Sequence, residues 1–453
     1  RGALVRGSGT VTEFRPASDL TSPPLTELTD PIVELLSPRA SLPQPARLRA
    51  GDWDLERYEA MRVEVASLTV VGPTGGSVNE RNATSTTNGV FYGVIAGGRP
   101  FREPGRDWDR NPERLRVDSD EQPGTRALEV GAGMTVTGLV GPLDYGFRTY
   151  TILPDPDAPP VVAGTTSATP VPAAAGDEFT VSSFNLQRFF DATDDPGIDE
   201  PVLTAAAFQT RLGKASLAIR TVLGAPDILG VQEVENLAAL QALADRLGRD
   251  GVSYRAYLEE GNDVGGIDVG LLVKSTVRVV EGRQEGKSDP NNDRPPLVLR
   301  AAVGAAAFPV TAVVNHLRSL VDIEDARVQA KRRAQAEYLA GLLRARQAEN
   351  LIVLGDFNGF QFDDGYVDVL GVVKQAAGVV NLTEALPLSQ NYSYVFDGNT
   401  QTLDHILVNR PLLGRVSRII YARSNADFPE SLRNDPSRPE RLSVEGPPGP
   451  SRS

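Results

Sequence analysis

The rhythm of hydrophobic and polar positions changes once along this chain. From residue 1 to about 154, apolar residues come in short alternating pieces: SGTVTEF, YEAMRVEVASLTVVG, NGVFYGVIAG, GMTVTGLVG and FRTYTILP. Gly, Pro and Asn punctuate them. Period-two alternation between turn signals predicts short half-buried strands, and several together predict a small all-β domain, a barrel. Residues 155–177, DPDAPPVVAGTTSATPVPAAAGD, offer little to bury and read as a linker.

Beyond the linker, strand-like and helical runs take turns. FTVSSFNL, DILGVQEV, DVGLLVK, PLVLRAAV, FPVTAVVNH and NLIVLG have the length and β-branched content of strands. TAAAFQTRLGKASLAIRTVLG and VENLAALQALADRLG place apolar residues at helical spacing, as does the Ala/Arg-rich stretch 323–346. Strands alternating with helices in one segment predict a layered α/β or α+β domain over residues 178–443. NLIVLGDFNGF is instructive. A wholly apolar strand, buried on both faces, ends in an acid and an amide, and the carboxyl ends of such strands are where sites are built in open α/β sheets.

Composition narrows the chemistry. At 453 residues the chain is long enough for two or three domains, and no apolar run is long enough for a transmembrane helix. It opens RGALVRGSGT, which reads as a processed or incomplete chain. There is no cysteine, so disulfides, thiolate catalysis and Cys-based metal sites are excluded. His316 and His405 are the only histidines, which argues against a His-rich zinc site. The net charge of −13 has the wrong sign for gripping nucleic acid through a broad basic surface. An enzyme of this charge acting on phosphates needs a bound divalent cation and a few local arginines.

Polar clusters end six of the strand-like segments: Asn185; Gln232 with Glu233; Arg294; Asn315 with His316; Asp356 with Asn358; and Asp404 with His405. Singly, each has a bland explanation, since a carboxylate after a strand is usually a helix cap and a lone His a satisfied core or surface group. Together they make an oxygen-rich site for Mg²⁺ or Mn²⁺ with an acid/base pair suited to phosphate esters. His405 neighbours Asp404 on a strand and so faces away if Asp404 faces the site. Glu235 and Asn236 read as the start of the next helix rather than as ligands.

In their order, SFNLQRFFD, PDILGVQEVEN, DRPPLV, NHLRS, GDFN and YSYVFDGNTQTLDHIL resemble the endonuclease/exonuclease/phosphatase superfamily, the fold of pancreatic deoxyribonuclease. The resemblance covers roughly residues 178–443 and is greatest to large secreted bacterial nucleases with OB-fold-like β modules ahead of the catalytic domain. It implies a two-sheet α/β sandwich of the deoxyribonuclease I-like type, preceded by an OB-like all-β domain over 1–154 that starts inside a module. It makes Glu233 the principal metal ligand with Asn185 beside it, and Mg²⁺ or Mn²⁺ the cofactor, with Ca²⁺ as a further candidate. Asp356 then orients or deprotonates the attacking water, and Asn358 holds the phosphate or water. His316 hydrogen-bonds the phosphoryl oxygen, while Arg294 and Asn315 join Asn358 in binding substrate.

The chain departs from that pattern at its end. The family closes with Ser-Asp-His and a final strand, and the Asp matched by Asp404 normally orients that His. Here RPERLSVEGPPGPSRS puts Val444 and Glu445 in those places, and residues 444–453 form a Gly/Pro-rich tail. Three readings stand: an enzyme weakened or silenced by loss of the motif, a terminus altered by a frameshift, or Glu445 as substitute ligand. A lost last strand should also leave an exposed sheet edge or a gap. The expected function is a secreted or cell-surface, divalent-metal-dependent nuclease acting on DNA or RNA. The alternatives are a phosphatase or phospholipid phosphodiesterase, and a catalytically silent scaffold. Trp53, Trp108, Tyr92, Phe91 and Phe101 are more simply core aromatics of the β domain than a base-stacking platform.

Overall fold

The computed structural model describes residues 2–17, 22–52, 54–101, 111, 113–146 and 149–442. Trp53, Trp108 and the tail 444–453 lie outside them.

Five strands near the N-terminus form a closed barrel: β1 (Arg62–Gly72), β2 (Val90–Ile95), β3 (Arg114–Asp118), β4 (Thr135–Asp144) and β5 (Thr151–Ile152). Neighbours run β1-β2-β3-β5-β4, and pairing of β4 back onto β1 closes the ring; only β3 and β5 are parallel. Val63, Val65, Leu68, Phe91, Val117 and Leu139 fill its interior, so Phe91 is a core residue. SGTVTEF, expected within this domain, instead belongs to Leu4–Phe14, which pairs only with Leu25–Ser37 in a separate, mostly exposed ribbon. Both edges of β1 and β4 are already occupied, leaving no place in the barrel for another strand. The linker is not free chain throughout, because Val161–Ala163 pairs with the start of β4.

The rest is a four-layer sandwich. Its strands and helices are β6 (Val181–Phe189), α1 (Ala205–Thr221), β7 (Ile228–Val234), α2 (Leu237–Arg249), β8 (Tyr254–Leu258) and β9 (Asp268–Lys274). Then come β10 (Arg278–Gln284), β11 (Leu297–Val303), β12 (Phe308–His316), α3 (Ala326–Arg344), β13 (Leu351–Asp356), α4 (Val369–Ala377), β14 (Val379–Asn381) and β15 (Asp404–Asn409). One sheet has the order β6-β7-β9-β8, the other β10-β11-β12-β13-β15-β14. Leu271, Leu299, Ala312, Val314 and Leu354 meet between the sheets. Leu229 and Val231 turn outward onto α1 and α2, and Val313, Val353 and Leu407 onto α3 and α4. The strands are apolar on both faces because each face is covered. Among the described residues β6 has a neighbour on one side only; the segment expected to lack a last strand, from residue 443 on, lies outside them.

Residues 427–441 wedge the barrel against the sandwich. Asn434 exchanges two hydrogen bonds with the Ser85 backbone, and Glu430 N donates to Thr74 O. Buried Arg433 pairs with Glu430 at 2.6 Å, and Arg441 reaches the same carboxylate at 2.9 Å. From α1, Lys214 inserts its ammonium among the carbonyls of Leu432, Asp435 and Arg438 at 2.6–3.0 Å. Burial pushes its pKa down to about 8. A Lys214→Met substitution leaves three inward-facing carbonyls without this donor and should cost about 3 kcal/mol. Urea denaturation followed by tryptophan fluorescence checks this; an unchanged midpoint would show the wedge is held without it.

Candidate active site

The site lies where strands from both sheets end together. On β7, strict alternation would send Glu233 outward with Leu229 and Val231. A left-handed Glu233 (φ 60°) breaks the phase, with register shifts against both β6 and β9. The carboxylate thereby faces the cleft. Its Oε1 accepts from Asn185 Nδ2 at 2.8 Å and its Oε2 from Arg188 N at 2.9 Å. Such strain persists only where surroundings hold it, and Arg211 does so by donating to the carbonyls of Leu186, Gln187 and Arg188.

On the facing sheet, even-numbered residues of β12, β13 and β15 point inward, which brings His316, Asp356 and Asp404 to the same place. Asn185 Nδ2 also reaches Asp356 Oδ2 at 3.2 Å. His316 Nε2 stands 3.9 Å from both Glu233 Oε1 and Asp356 Oδ2. Asn358, left-handed at φ 46°, folds back so that its N–H donates to Asp356 Oδ1 at 2.7 Å and its Nδ2 to Leu317 O. Gly355 (φ 139°) permits the close approach of β12 and β13, because a Cβ there would lie 2.0 Å from Asn315 O.

Of three further expected site residues, one lies off the cleft and two line it with their polar groups already engaged. Asn315 has the opposite parity to His316, is fully buried and does not line the cleft; its Nδ2 lies 3.5 Å from Asp356 O. Asn185 has its oxygen accepting from Gln187 N at 2.8 Å and its nitrogen turned to the cleft. Its amide ties two carboxylates together. Arg294 lines the cleft, but its guanidinium donates to His316 O and Leu317 O and pairs with Asp263 at 3.2 Å. It is first a brace for the end of β12.

His405 points outward, as strand alternation requires. Its Nε2 donates to Gly359 O at 2.8 Å, while Asn381 Nδ2 lies 3.0 Å from Nδ1, and burial lowers its pKa to about 4. It is a neutral structural group. Asn236 caps α2 by accepting from Ala239 N, as expected, but Glu235 precedes the helix and is buried beside Asp195 and Glu200. Arg188, Arg211 and Gly355 also serve the site. The Arg of SFNLQRF and the Gly of LGDFN stand inside the quoted motifs, but Arg211, on a helix well downstream, carries no local signal.

Crowding of like charge dominates the electrostatics. Burial, then Asp404 and Glu233, hold the Asp356 carboxyl well above the ordinary range. Burial and then Glu233 push Asp404 up to about 6. His316 is held well below its usual value, first by burial and then by Arg294. Glu233, His316 and Asp356 each offer a ligand atom, all within 4.8 Å of one another. Asp404 Oδ1 is buried without a hydrogen-bond partner among the described residues. Clustered anionic oxygens with few donors fit a hard divalent cation. The cluster opens into a cleft of about 2210 Å³ that continues past it along β6, β15 and residues 415–426.

These charges give a sign for pH. A carboxyl raised from 3.8 to about 6 binds its proton more tightly in the folded state, so it destabilises progressively as pH rises through that window. In EDTA, Asp404→Asn should flatten the loss of melting temperature between pH 4 and 6.5 and melt higher than the parent at pH 7.5. Equal profiles in thermal denaturation would refute a charge-crowded site.

Residues 180–432 match the profile of the endonuclease/exonuclease/phosphatase family, and residues 47–164, which span the barrel, match a domain family of unknown function. No curated protein matches. Among solved structures, D. rerio TDP2 complexed with single strand DNA product is 18% identical, covering 51% of this chain and 83% of that one, with a TM-score of 0.37. The human Nocturnin catalytic domain with bound sulfate is 17% identical over 44% and 74%, at TM-score 0.33. A mannosyl-6-phosphatase of Bacteroides thetaiotaomicron is 18% identical over 51% and 86%, at TM-score 0.34. At these values the assignment rests on the family profile, which spans more than half of the chain. The ordered motifs, the two-sheet sandwich and that match agree: this chain belongs to the endonuclease/exonuclease/phosphatase family, whose named activities all cleave phosphate esters.

Proposed function

We propose that the protein is a divalent-cation-dependent phosphodiesterase that hydrolyses DNA outside the cell. The observation that carries the chemistry is the convergence of Glu233, Asp356 and His316 within 4.8 Å at the mouth of a large cleft. A cation held by Glu233 and Asp356 supplies the positive charge that an acidic chain otherwise lacks near a substrate phosphate. With the cation relieving the repulsion from Glu233 and Asp404, Asp356 would be ionised and accept the proton of the attacking water. Asn358 holds that carboxylate by a backbone hydrogen bond, and Asn185 sets the spacing between Asp356 and Glu233. His316, neutral near pH 7, offers its Nε2 edge to the phosphoryl oxygen without repelling the cation. Arg294 keeps the end of β12 in place.

A polymeric substrate is supported by the size of the cleft, which exceeds the few hundred to about 1,000 Å³ usual for small-molecule pockets. The barrel reads as an OB-like module on its strand order, with β3 and β5 parallel. The extracellular location rests on sequence resemblance alone. A second reading, a silenced scaffold, draws on Asp404 Oδ1, which has no hydrogen-bond donor among the described residues.

Plasmid nicking in Mg²⁺ or Mn²⁺ tests the proposal. Cleavage should stop in EDTA and fall at least about 100-fold in Asp356→Asn. Retained metal binding with no nicking by the parent chain would favour the scaffold. Undiminished cleavage in Asp356→Asn would remove Asp356 as the base.

A further inference from the structure

The turn that aims Glu233 is held in part from outside its own domain. Gln187 and Arg188, at the end of β6, are both left-handed at φ 53°, and Glu233 on the adjacent β7 is left-handed at φ 60°. Three non-glycine residues in that region, on neighbouring strands, persist only where their surroundings fix them. Arg211 grips the carbonyls of the turn, and Asn425 Nδ2 donates to Gln187 Oε1 at 3.2 Å. A third hold comes from the barrel. Arg188 Nε donates to Glu80 Oε1 at 2.7 Å and Nη2 to Glu80 Oε2 at 3.4 Å, a two-pronged contact that fixes the plane of the guanidinium. The same guanidinium lies 5.2 Å from the ring centre of the fully buried Phe190.

Glu80 is itself well seated. It stands at the tip of a hairpin in which Gly76–Asn79 pairs with Thr84–Thr87, and Asn82 N closes the turn by donating to Asn79 Oδ1. Arg81 O accepts from Thr204 N at 2.9 Å, Ala83 packs with Phe190, Leu203 and Ala207, and the Ser85 backbone is bonded to Asn434. Val78 and Glu80 line the same cleft as Glu233, so the hairpin is one wall of the site. A short path results. Glu80 holds the Arg188 side chain, and the Arg188 N–H holds Glu233 Oε2 at 2.9 Å, leaving Oε1 toward Asn185 and His316.

We propose that Glu80 is a positioning residue for the catalytic cation, on the reading above that Glu233 and Asp356 hold one. A carboxylate of the barrel thereby sets how tightly the sandwich binds its metal. Without Glu80, the backbone at Arg188 relaxes out of the left-handed region and its N–H draws away from Glu233. The carboxylate is then free to turn, and ordering it again weakens cation binding. Removing a group that touches a metal ligand directly typically weakens binding by about 10- to 100-fold. Glu80 acts one contact further out, through a pair whose side chains are 33% and 28% exposed, so the expected loss is about fivefold.

Mn²⁺ binding to the full chain tests this, read by equilibrium dialysis and by the Mn²⁺ concentration for half-maximal plasmid nicking. Glu80→Gln should raise both values about fivefold, with nicking at saturating Mn²⁺ within about twofold of the parent. The dialysis result stands whether or not the chain nicks plasmid. Arg188→Met gives the decisive sign. Removing a positive charge beside a cation site tightens binding by Coulomb's law alone, whereas loss of the positioning contact weakens it. Arg188→Met should therefore bind Mn²⁺ more weakly than the parent, and Glu80→Gln should add nothing in that background. Cooperative melting in EDTA shows that each variant is folded; Glu80→Gln carries the test alone should Arg188→Met lack it. Tighter binding in Arg188→Met, unchanged binding in Glu80→Gln, or additive losses in the double variant would overturn the proposal. Mn²⁺ binding untouched by Glu233→Gln would instead remove the cation site, and the positioning role with it.

Discussion

Three carboxylates brought to one buried spot are the constraint on which this structure depends. Glu233, Asp356 and Asp404 repel one another, and burial removes the water that would screen them. The chain offers them amides, backbone N–H groups and the Ser393 hydroxyl but no cationic partner among the described residues, so the cluster is built to receive positive charge rather than to be satisfied alone. Like charges at close range drift apart unless their mounts are stiff. The mounts of Glu233 and Asp356, and that of His316 between them, are each braced by an arginine directed at backbone carbonyls. Arg211 holds Leu186 to Arg188, Arg294 holds His316 and Leu317, and Arg332 holds Arg318 and Asn358. Arg211 and Arg332 are buried deeply enough for their pKa values to fall to about 9 and 10.

The barrel takes part in that support. Arg188, whose N–H holds Glu233, pairs through its guanidinium with Glu80 of the barrel hairpin at 2.7 Å. Opposite, Asn111 N donates to Asn399 Oδ1 and Arg114 to Asp397 O, next to the hairpin that precedes β15. Both halves of the site are therefore touched by the accessory domain. Together with the wedge at 427–441, these contacts make the barrel a structural extension of the sandwich.

The end of β7 serves two clusters. With Glu233 left-handed, its carboxylate turns into the cleft, and the chain re-enters the sheet so that Glu235 is buried outside the cleft, against the loop that follows β6. One backbone irregularity thus separates two sets of acids whose motif, VQEVEN, places them in adjacent sequence.

Much was legible beforehand. The switch from period two to alternating strands and helices located the barrel and the sandwich, and parity along TLDHIL predicted that His405 would face away from Asp404. The apolar run NLIVLG announced a strand buried on both faces, with its polar groups at the end. These features are local, since side-chain spacing along an element records which faces are covered. Other features came only with the tertiary structure. Asn315 faces outward, Asn185 bridges Glu233 and Asp356, and Arg294 is occupied by carbonyls. Gly355 is required by a carbonyl 40 residues earlier in the chain. Glu233 faces the cleft only because Arg211 and Asn185 hold a strained turn, and Glu235 gains its partners from a loop on another strand. Residue order sets what each element is made of. Orientation at a bulge, and the use a buried charge is put to, depend on neighbours distant in the chain, and no local pattern encodes them.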